Sequence, residues 1–164
     1  MASSPRIFNG AIETGLRSLA VLTQAFPTRM SLQRLVILDY IVVHSDDVEG
    51  GPPGIHPKTP NRGGQLLVRR GVIQSGLLLF MSRGLIEQHF NSEGISHQAT
   101  DRSGAFLDAF SAPYVKDLRQ RADWVNDVFG GRNDESLWSF VSASVADWGS
   151  EFEMSSVLWE DAEV

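Results

Sequence analysis

Three side chains near the end of a predicted helix could do chemistry: His44, Asp46 and, further along the chain, His56. Histidine and aspartate are residue types that hold metal ions or move protons. A metal or acid–base site, however, needs several donors at a defined geometry. The same residues are common where a helix gives way to a turn. The structural interpretation is favoured, and we expect no catalytic residue, no metal and no cofactor.

The segment around these histidines is rich in glycine and proline, so a phosphate-binding loop has to be considered. Such a loop needs Gly-Lys-Ser/Thr at the start of a helix, where backbone amides and the lysine meet phosphate. Here Lys58 lies between prolines and no such triplet occurs. The sequence therefore argues against nucleotide hydrolysis by this chain.

Basic residues are concentrated in the middle of a chain whose net charge is −6. Between Gly50 and Ile86 there is no acidic residue, and the basic ones are Lys58, Arg62, Arg69, Arg70 and Arg83. These side chains are candidates for contact with phosphates or with an acidic protein surface. The alternative for Arg69 and Arg70 is a solvated pair that neutralises the chain's own acids.

Two tryptophans are candidate interface anchors. Trp124 falls one position off the apolar stripe of its predicted helix, and Trp159 lies in an acidic segment at the end of the sequence. Partly exposed aromatic side chains of this kind often anchor protein interfaces. The alternative for Trp159 is a disordered end.

Length and composition fit one domain with a helical extension. Cysteine is absent, which excludes disulfides and thiolate metal sites. The first residues lack the layout of a signal peptide, and the apolar runs are far too short to span a membrane. We expect a cytoplasmic protein without a membrane partner.

Apolar spacing predicts the elements that position these residues. Residues 10–26 and 31–44 are predicted helices, followed by a long Pro/Gly loop at 45–64 whose Ile55 and His56 should pack down. A short helix at 65–70, a turn at Gly71 and a helix at 73–83 then precede a hairpin of strands 85–90 and 95–100. This order predicts a mainly α fold with a winged helix-turn-helix core and a small β-hairpin wing.

The rest of the chain is predicted to be helical, with one helix from Pro113 and another capped by Asp134. The organisation expected is a winged-helix domain at 8–104, a C-terminal helical extension at 105–149, and an acidic, flexible tail at 150–164.

The predicted recognition helix is poorly suited to reading DNA. Residues 77–81 are five consecutive apolar side chains, so this helix should be buried on more than one side. The predicted wing carries Glu87 and Glu93 and no lysine or arginine, a charge that repels a phosphate backbone. A sequence-specific DNA reader is therefore disfavoured, although it stays the principal alternative.

Several distinctive strings occur along the sequence: Phe8-Asn9-Gly10-Ala11-Ile12-Glu13-Thr14-Gly15-Leu16-Arg17, Leu32-Gln33-Arg34-Leu35, Asp39-Tyr40, Val43-His44-Ser45-Asp46, His56-Pro57-Lys58-Thr59-Pro60-Asn61-Arg62 and Val68-Arg69-Arg70-Gly71. Over about residues 8–152, the sequence that contains them resembles the middle component of bacterial ABC-three-component systems.

The resemblance implies a set of partners. Such systems, to which Lamassu-type systems are similar, join an SMC/Rad50-like ATPase, an effector that is often a nuclease, and a small middle component. They belong to prokaryotic anti-phage and anti-plasmid defence, and the complex as a whole would contact DNA. The implied function is a non-catalytic accessory subunit that bridges or regulates the other two. The alternative is a free-standing winged-helix transcriptional regulator.

Overall fold

Six helices and a three-stranded sheet form the described part of the chain. A computed structural model describes the backbone of residues 10–57 and 63–144 and the side chains of residues 10–57 and 69–140. The elements are α1 (Ala11–Gln24), β1 (Met30–Ser31), α2 (Leu32–Val43), α3 (Gly63–Ser82), β2 (Ile86–Asn91), β3 (Gly94–Ala99), α4 (Ser103–Asp108), α5 (Pro113–Phe129) and α6 (Asp134–Ser144). A short 3-10 turn, Ser45–Asp47, follows α2.

Helix α2 is the centre of the fold. Its sequence is apolar around most of its circumference, and every residue from Arg34 to Val43 is buried. Ser31 caps its first turn by accepting a hydrogen bond from the Arg34 amide at 3.1 Å. Helices α1, α3, α5 and α6 all contact it.

The closest helix contact is between α1 and α3, where two glycines meet. A Cβ atom on Gly76 would lie 2.6 Å from the Gly15 backbone nitrogen and 2.8 Å from the Ala11 carbonyl oxygen. A Cβ atom on Gly15 would lie 2.5 Å from the ring of Phe80. The two backbones therefore touch at a distance that any larger residue prevents.

The strands form an antiparallel sheet in the order β1-β3-β2. Met30 pairs with His97, and the β2–β3 register runs from Ile86 opposite Ala99 to Asn91 opposite Gly94. Gly94 closes the hairpin with a φ of +117°, a conformation that glycine adopts without strain. The predicted hairpin and its turn are confirmed.

One predicted break is wrong. Helix α3 runs without interruption from Gly63 to Ser82, so the turn expected at Gly71 is absent. A glycine inside a helix costs only about 1 kcal/mol relative to alanine, and the contacts of α3 with α1 and α2 outweigh that cost. The helix-turn-helix predicted within residues 65–83 is therefore one helix.

The C-terminal helices complete the same core. The stripe predicted on α5 is confirmed, because Leu118, Ala122, Val125 and Phe129 are fully buried and pack against α1 and α2. The cap of α6 is Asn133, whose side-chain oxygen accepts the Ser136 amide at 2.7 Å, rather than the predicted Asp134. The predicted tail at 150–164 lies outside the described residues. In the described ranges, no helix has both the length and the apolarity that a lipid bilayer requires.

The glycine contact makes a direct prediction about stability. Gly76→Ala should lower the free energy of unfolding by about 1–3 kcal/mol. The added methyl group would collide with backbone atoms of α1, and relieving the collision would require the two helices to move apart. Gly71→Ala on the same helix should raise stability by up to about 1 kcal/mol, since its added Cβ meets nothing within 4 Å. Urea unfolding of both variants measures the difference, and equal effects would contradict the proposed contact.

Candidate functional site

The most unusual arrangement of polar groups is a buried carboxylate between two arginines. Arg17 on α1 donates from Nε to Asp39 Oδ1 at 2.8 Å and from Nη2 to Oδ2 at 3.3 Å. Arg69 on α3 donates from Nη1 to the same Oδ2. Arg17 and Asp39 are each 1% exposed and Arg69 is 9% exposed. One carboxylate on α2 therefore joins three helices through charge-assisted hydrogen bonds.

Aromatic side chains continue this arrangement towards the Pro/Gly loop. The guanidinium of Arg69 lies 5.5 Å from the ring centroid of Tyr40, whose ring centroid is 4.7 Å from that of His44. His44 in turn contacts His56 edge to face at 6.4 Å. His56 Nε2 lies 3.0 Å from the hydroxyl of Tyr114 on α5. We refer to these seven residues, Arg17, Asp39, Tyr40, His44, His56, Arg69 and Tyr114, as the Asp39 cluster.

The Pro/Gly loop packs against the C-terminal end of α2. The sequence predicts this packing for Ile55 and His56. The Val43 carbonyl accepts hydrogen bonds from the amides of Ile55 at 3.0 Å and His56 at 3.1 Å. Arg121 on α5 donates to the Pro53 carbonyl through Nε at 3.0 Å and Nη2 at 2.8 Å. A segment that cannot form a helix or a ladder thus has its carbonyls bound by side chains.

Electrostatics fix the protonation of the cluster. Burial alone would raise the pKa of Asp39, but the charges and hydrogen bonds of Arg17 and Arg69 outweigh it and hold the pKa below its ordinary value. Burial, followed by the charge of Arg17 and the proximity of His44, lowers the pKa of His56 to about 4. Burial also raises the pKa of Tyr114. At neutral pH the Tyr114 hydroxyl is therefore protonated and can donate to a neutral His56.

The predicted loop site is only partly assembled. His44 and His56 meet in the Asp39 cluster, whereas Asp46 is exposed on the 3-10 turn beside Gly54. Among the described residues, no group of three or more His, Cys, Asp or Glu side chains is placed to hold a metal ion. The cluster's groups bind one another and are largely shielded from solvent, an arrangement suited to holding α1, α2, α3 and α5 together.

The predicted contact residues lie in different surroundings. Lys58, Arg62 and Trp159 are outside the described residues. Arg69 belongs to the Asp39 cluster, where it neutralises an acidic residue of the same chain. The interpretation of Arg69 as solvated is wrong, because both members of this ion pair are buried. Arg70 is half-buried, and Arg83 is exposed. Trp124 is half-buried with its ring 6.1 Å from that of Phe129.

A groove lies between α3 and the hairpin, beside the predicted recognition helix. It encloses about 780 Å³, and its lining consists of Ser31, Leu32, Gln33, Arg70, Gly71, Gln74, Ser75, Leu77, Leu78, Met81, Gln88, Glu93, Gly94, Ile95, His97 and Asp134. Leu78 on α3 is 64% exposed and Ile95 on β3 is 50% exposed. Arg70 is half-buried in this lining, and the carboxylate of Asp134 accepts hydrogen bonds from Ser31 Oγ and Arg34 Nη1. We call this feature the α3 groove.

One buried polar atom in the α3 groove has no hydrogen-bond partner among the described residues. His97 is 5% exposed, and its Nδ1 makes no hydrogen bond. The ring bonds instead to the backbone of Met30, and burial lowers the pKa of His97. The Nδ1 atom is therefore enclosed beneath the groove surface, and leaving such an atom without a hydrogen bond costs stability.

Sequence reasoning missed Arg17, Asp39 and Tyr114 as members of one cluster. A signal was present, because Asp39 is the only acidic residue in the apolar sequence of α2, and Arg17 lies between apolar residues of α1. Charged residues on a helix that is apolar all round are seldom buried without partners. The α3 groove could not be found in this way, because it depends on how α3 and the hairpin approach each other.

Comparison with known proteins supports one family. The family model described as ABC-three component (ABC-3C) system Middle Component 2 matches residues 7–151. Searches of curated proteins and of solved structures found no match.

The buried carboxylate makes the first prediction about this site. Asp39→Asn should lower the free energy of unfolding by about 3–5 kcal/mol, because it leaves two arginines without a buried counter-charge. Asp117→Asn, an exposed residue of α5, should change it by less than about 0.5 kcal/mol. Guanidinium unfolding at pH 7 distinguishes the two, and a loss below about 1 kcal/mol for Asp39→Asn would show that the carboxylate's charge is unimportant.

The second prediction concerns how the stability of the fold depends on pH. The folded chain holds the pKa of His56 at about 4, below the unfolded value of about 6.5. Since the unfolded chain binds the proton more tightly between these values, stability is fully present above pH 6.5 and falls as the pH drops towards 4. His56→Gln should lose less stability between pH 7 and pH 4.5 than the wild type does.

The control for this pH effect is Gln120→Ala on the exposed side of α5, which changes no titratable group and should keep the wild-type pH dependence. His97 contributes in the same direction, so some slope should persist in His56→Gln. An unchanged slope in that variant would argue against the assignment to His56.

Proposed function

The chain belongs to the ABC-three component (ABC-3C) system Middle Component 2 family, and we propose that it acts as a non-catalytic subunit linking an SMC/Rad50-like ATPase to an effector. Family membership makes it an accessory component of a multi-component system. The identity of the partners, the nuclease activity of the effector and the place of the system among Lamassu-like anti-phage and anti-plasmid defences are parts of the proposal. So are its location in the cytoplasm and its lack of catalysis.

The order of elements supports a winged-helix assignment for residues 10–99. Two helices flank a short first strand, a third helix follows, and a hairpin then pairs with the first strand in the order β1-β3-β2. Winged-helix domains have this order, in which α3 occupies the position of the DNA-reading helix. The likeness is one of architecture, so function has to be argued from the surface.

The α3 groove is the observation that carries the proposal. Where a DNA reader needs basic and hydrogen-bonding side chains, this surface exposes Leu78 and Ile95. The hairpin beside it exposes Glu87 and Glu93, which oppose a phosphate backbone. Exposed apolar side chains in a concave surface are characteristic of protein docking.

The shape of the groove favours a helix as its occupant. Gly71 and Ser75 are small and lie on the exposed side of α3, so a second helix can approach closely. Leu78, at 64% exposed, provides the apolar anchor, and the exposed side chain of Gln74 provides a polar contact. An amphipathic helix of the ATPase or the effector, laid with its apolar side in the groove, meets both requirements.

Co-purification tests this proposal. Leu78→Asp should weaken capture of the partner subunits by the tagged chain about 10-fold or more, as expected for an interface anchor worth about 1.4 kcal/mol or more. Val128→Asp is the matched control, since Val128 is also exposed, at 44%, but lies on α5 outside the groove lining. Thermal melts of both variants check that the fold is retained.

The opposite outcome is equally clear. If the chain binds neither an ATPase nor an effector from its own system, and instead shifts one short DNA site as a free protein, it is a winged-helix transcriptional regulator. Equal capture by the Leu78→Asp and wild-type chains would leave the accessory role intact and remove the α3 groove from it.

A further inference from the structure

We propose that the free edge of β2 pairs with β2 of a second copy of this chain, forming a continuous six-stranded sheet. This inference concerns the hairpin's edge and does not rest on the proposed function. It starts from the sheet order β1-β3-β2, which leaves the six-residue strand β2 at one edge.

The hairpin register identifies which backbone groups are free. Asn91 pairs with Gly94 across a two-residue turn, and a closing pair of this kind exchanges both of its hydrogen bonds. Because bonded pairs alternate along a strand, Glu87 and His89 also bond to β3. Ile86, Gln88 and Phe90 therefore direct their amides and carbonyls away from β3. No hydrogen bond from the described residues reaches these groups.

Within the described residues, this edge has few of the features that usually block pairing, and Glu87 is its one acidic side chain. Natural edge strands are protected by lysine, proline, bulges or a covering element. The sequence Ile-Glu-Gln-His-Phe-Asn contains neither lysine nor proline, and its register with β3 is unbroken. Phe90, at 73% exposed, stands at the end of this edge.

The strand is complementary to itself in one two-fold register. In an antiparallel pair centred on Gln88, each Glu87 lies opposite a His89 of the other copy and each Ile86 lies opposite a Phe90. The directly bonded pairs are then Gln88 with Gln88 and Ile86 with Phe90, which are the residues whose backbone groups point outwards. Each Glu87 thus faces a possible hydrogen-bonding partner, and each Phe90 faces an apolar residue. The two-fold axis repeats both pairs.

The neighbouring register is inferior. Centring the pair on His89 places two histidines opposite each other and Glu87 opposite Asn91, so the charge pairing is lost. Glu87 and His89 already lie within 3.5 Å of each other in one chain, which shows that they share a face of the sheet. The pairing of Glu87 with His89 therefore selects the register centred on Gln88, and Phe90 adds an apolar contact.

Complementary charge variants test both the partner and the register. Glu87→Arg makes the edge basic and His89→Glu makes it acidic, so each variant alone should sediment as a monomer. An equimolar mixture should form a heterodimer, because one cross-strand pair then joins the introduced arginine to the introduced glutamate while the other keeps the wild-type Glu87–His89 pair. Sedimentation velocity over a concentration series measures this, with the wild type dimerising as the concentration rises.

A backbone variant provides an independent measurement. Gln88→Pro removes an outward-pointing amide that β3 does not use, so dimerisation should be lost while the melting transition persists. A wild-type chain that stays monomeric at the highest concentration reached would overturn the proposal. So would self-association of the two charge variants at wild-type strength, or a mixture that fails to associate.

These outcomes do not depend on other subunits, since every measurement uses the isolated chain. Loss of partner capture by Leu78→Asp and loss of self-association by Gln88→Pro are therefore separate results, and either proposal can fail while the other stands.

Discussion

The negative charge of Asp39 is the constraint on which the interior of this protein depends. A carboxylate in the centre of an apolar helix is tolerated only if opposite charges reach it, and Arg17 and Arg69 do so from two other helices. That requirement fixes the position of α1 and α3 relative to α2. The glycine contact between α1 and α3 acts in the same place, because it allows the two arginine-bearing helices to converge on one carboxylate.

The strings that carry the family resemblance are scattered along the sequence but meet in space. Arg17, Asp39, His44, His56 and Arg69 come from five of them, and all five residues belong to the Asp39 cluster. In this chain, these strings therefore contribute residues to the interior. The proposed docking surface, the α3 groove, draws only part of its lining from these strings, and its exposed apolar side chains Leu78 and Ile95 lie outside them.

Most elements of the fold were predictable, because they depend on local patterns. The apolar stripe of α5 and the turn before Gly94 each follow from spacing within a few residues. Gly71 misled the prediction because helix propensity is weak and the packing of α3 overrides it. Arg69 was placed at the surface because sequence shows a side chain's charge but not its partner, and Asp39 lies 30 residues away. The candidate groove depends on such distant contacts throughout.

Helix α5 lies against α1, although about 100 residues separate them. Gln24 donates to Asp123 across 99 positions, and Asn126 donates to the Val21 carbonyl across 105. At about 5–20 residues per second, a ribosome makes α1 several seconds before α5 exists. The apolar residues of α1 that pack against α5 therefore remain without that contact for this time during synthesis. The buried charges of Arg17, Arg69 and Asp39 also disfavour incorrect packing of the helices. A misplaced helix would bury one of these charges without its partner.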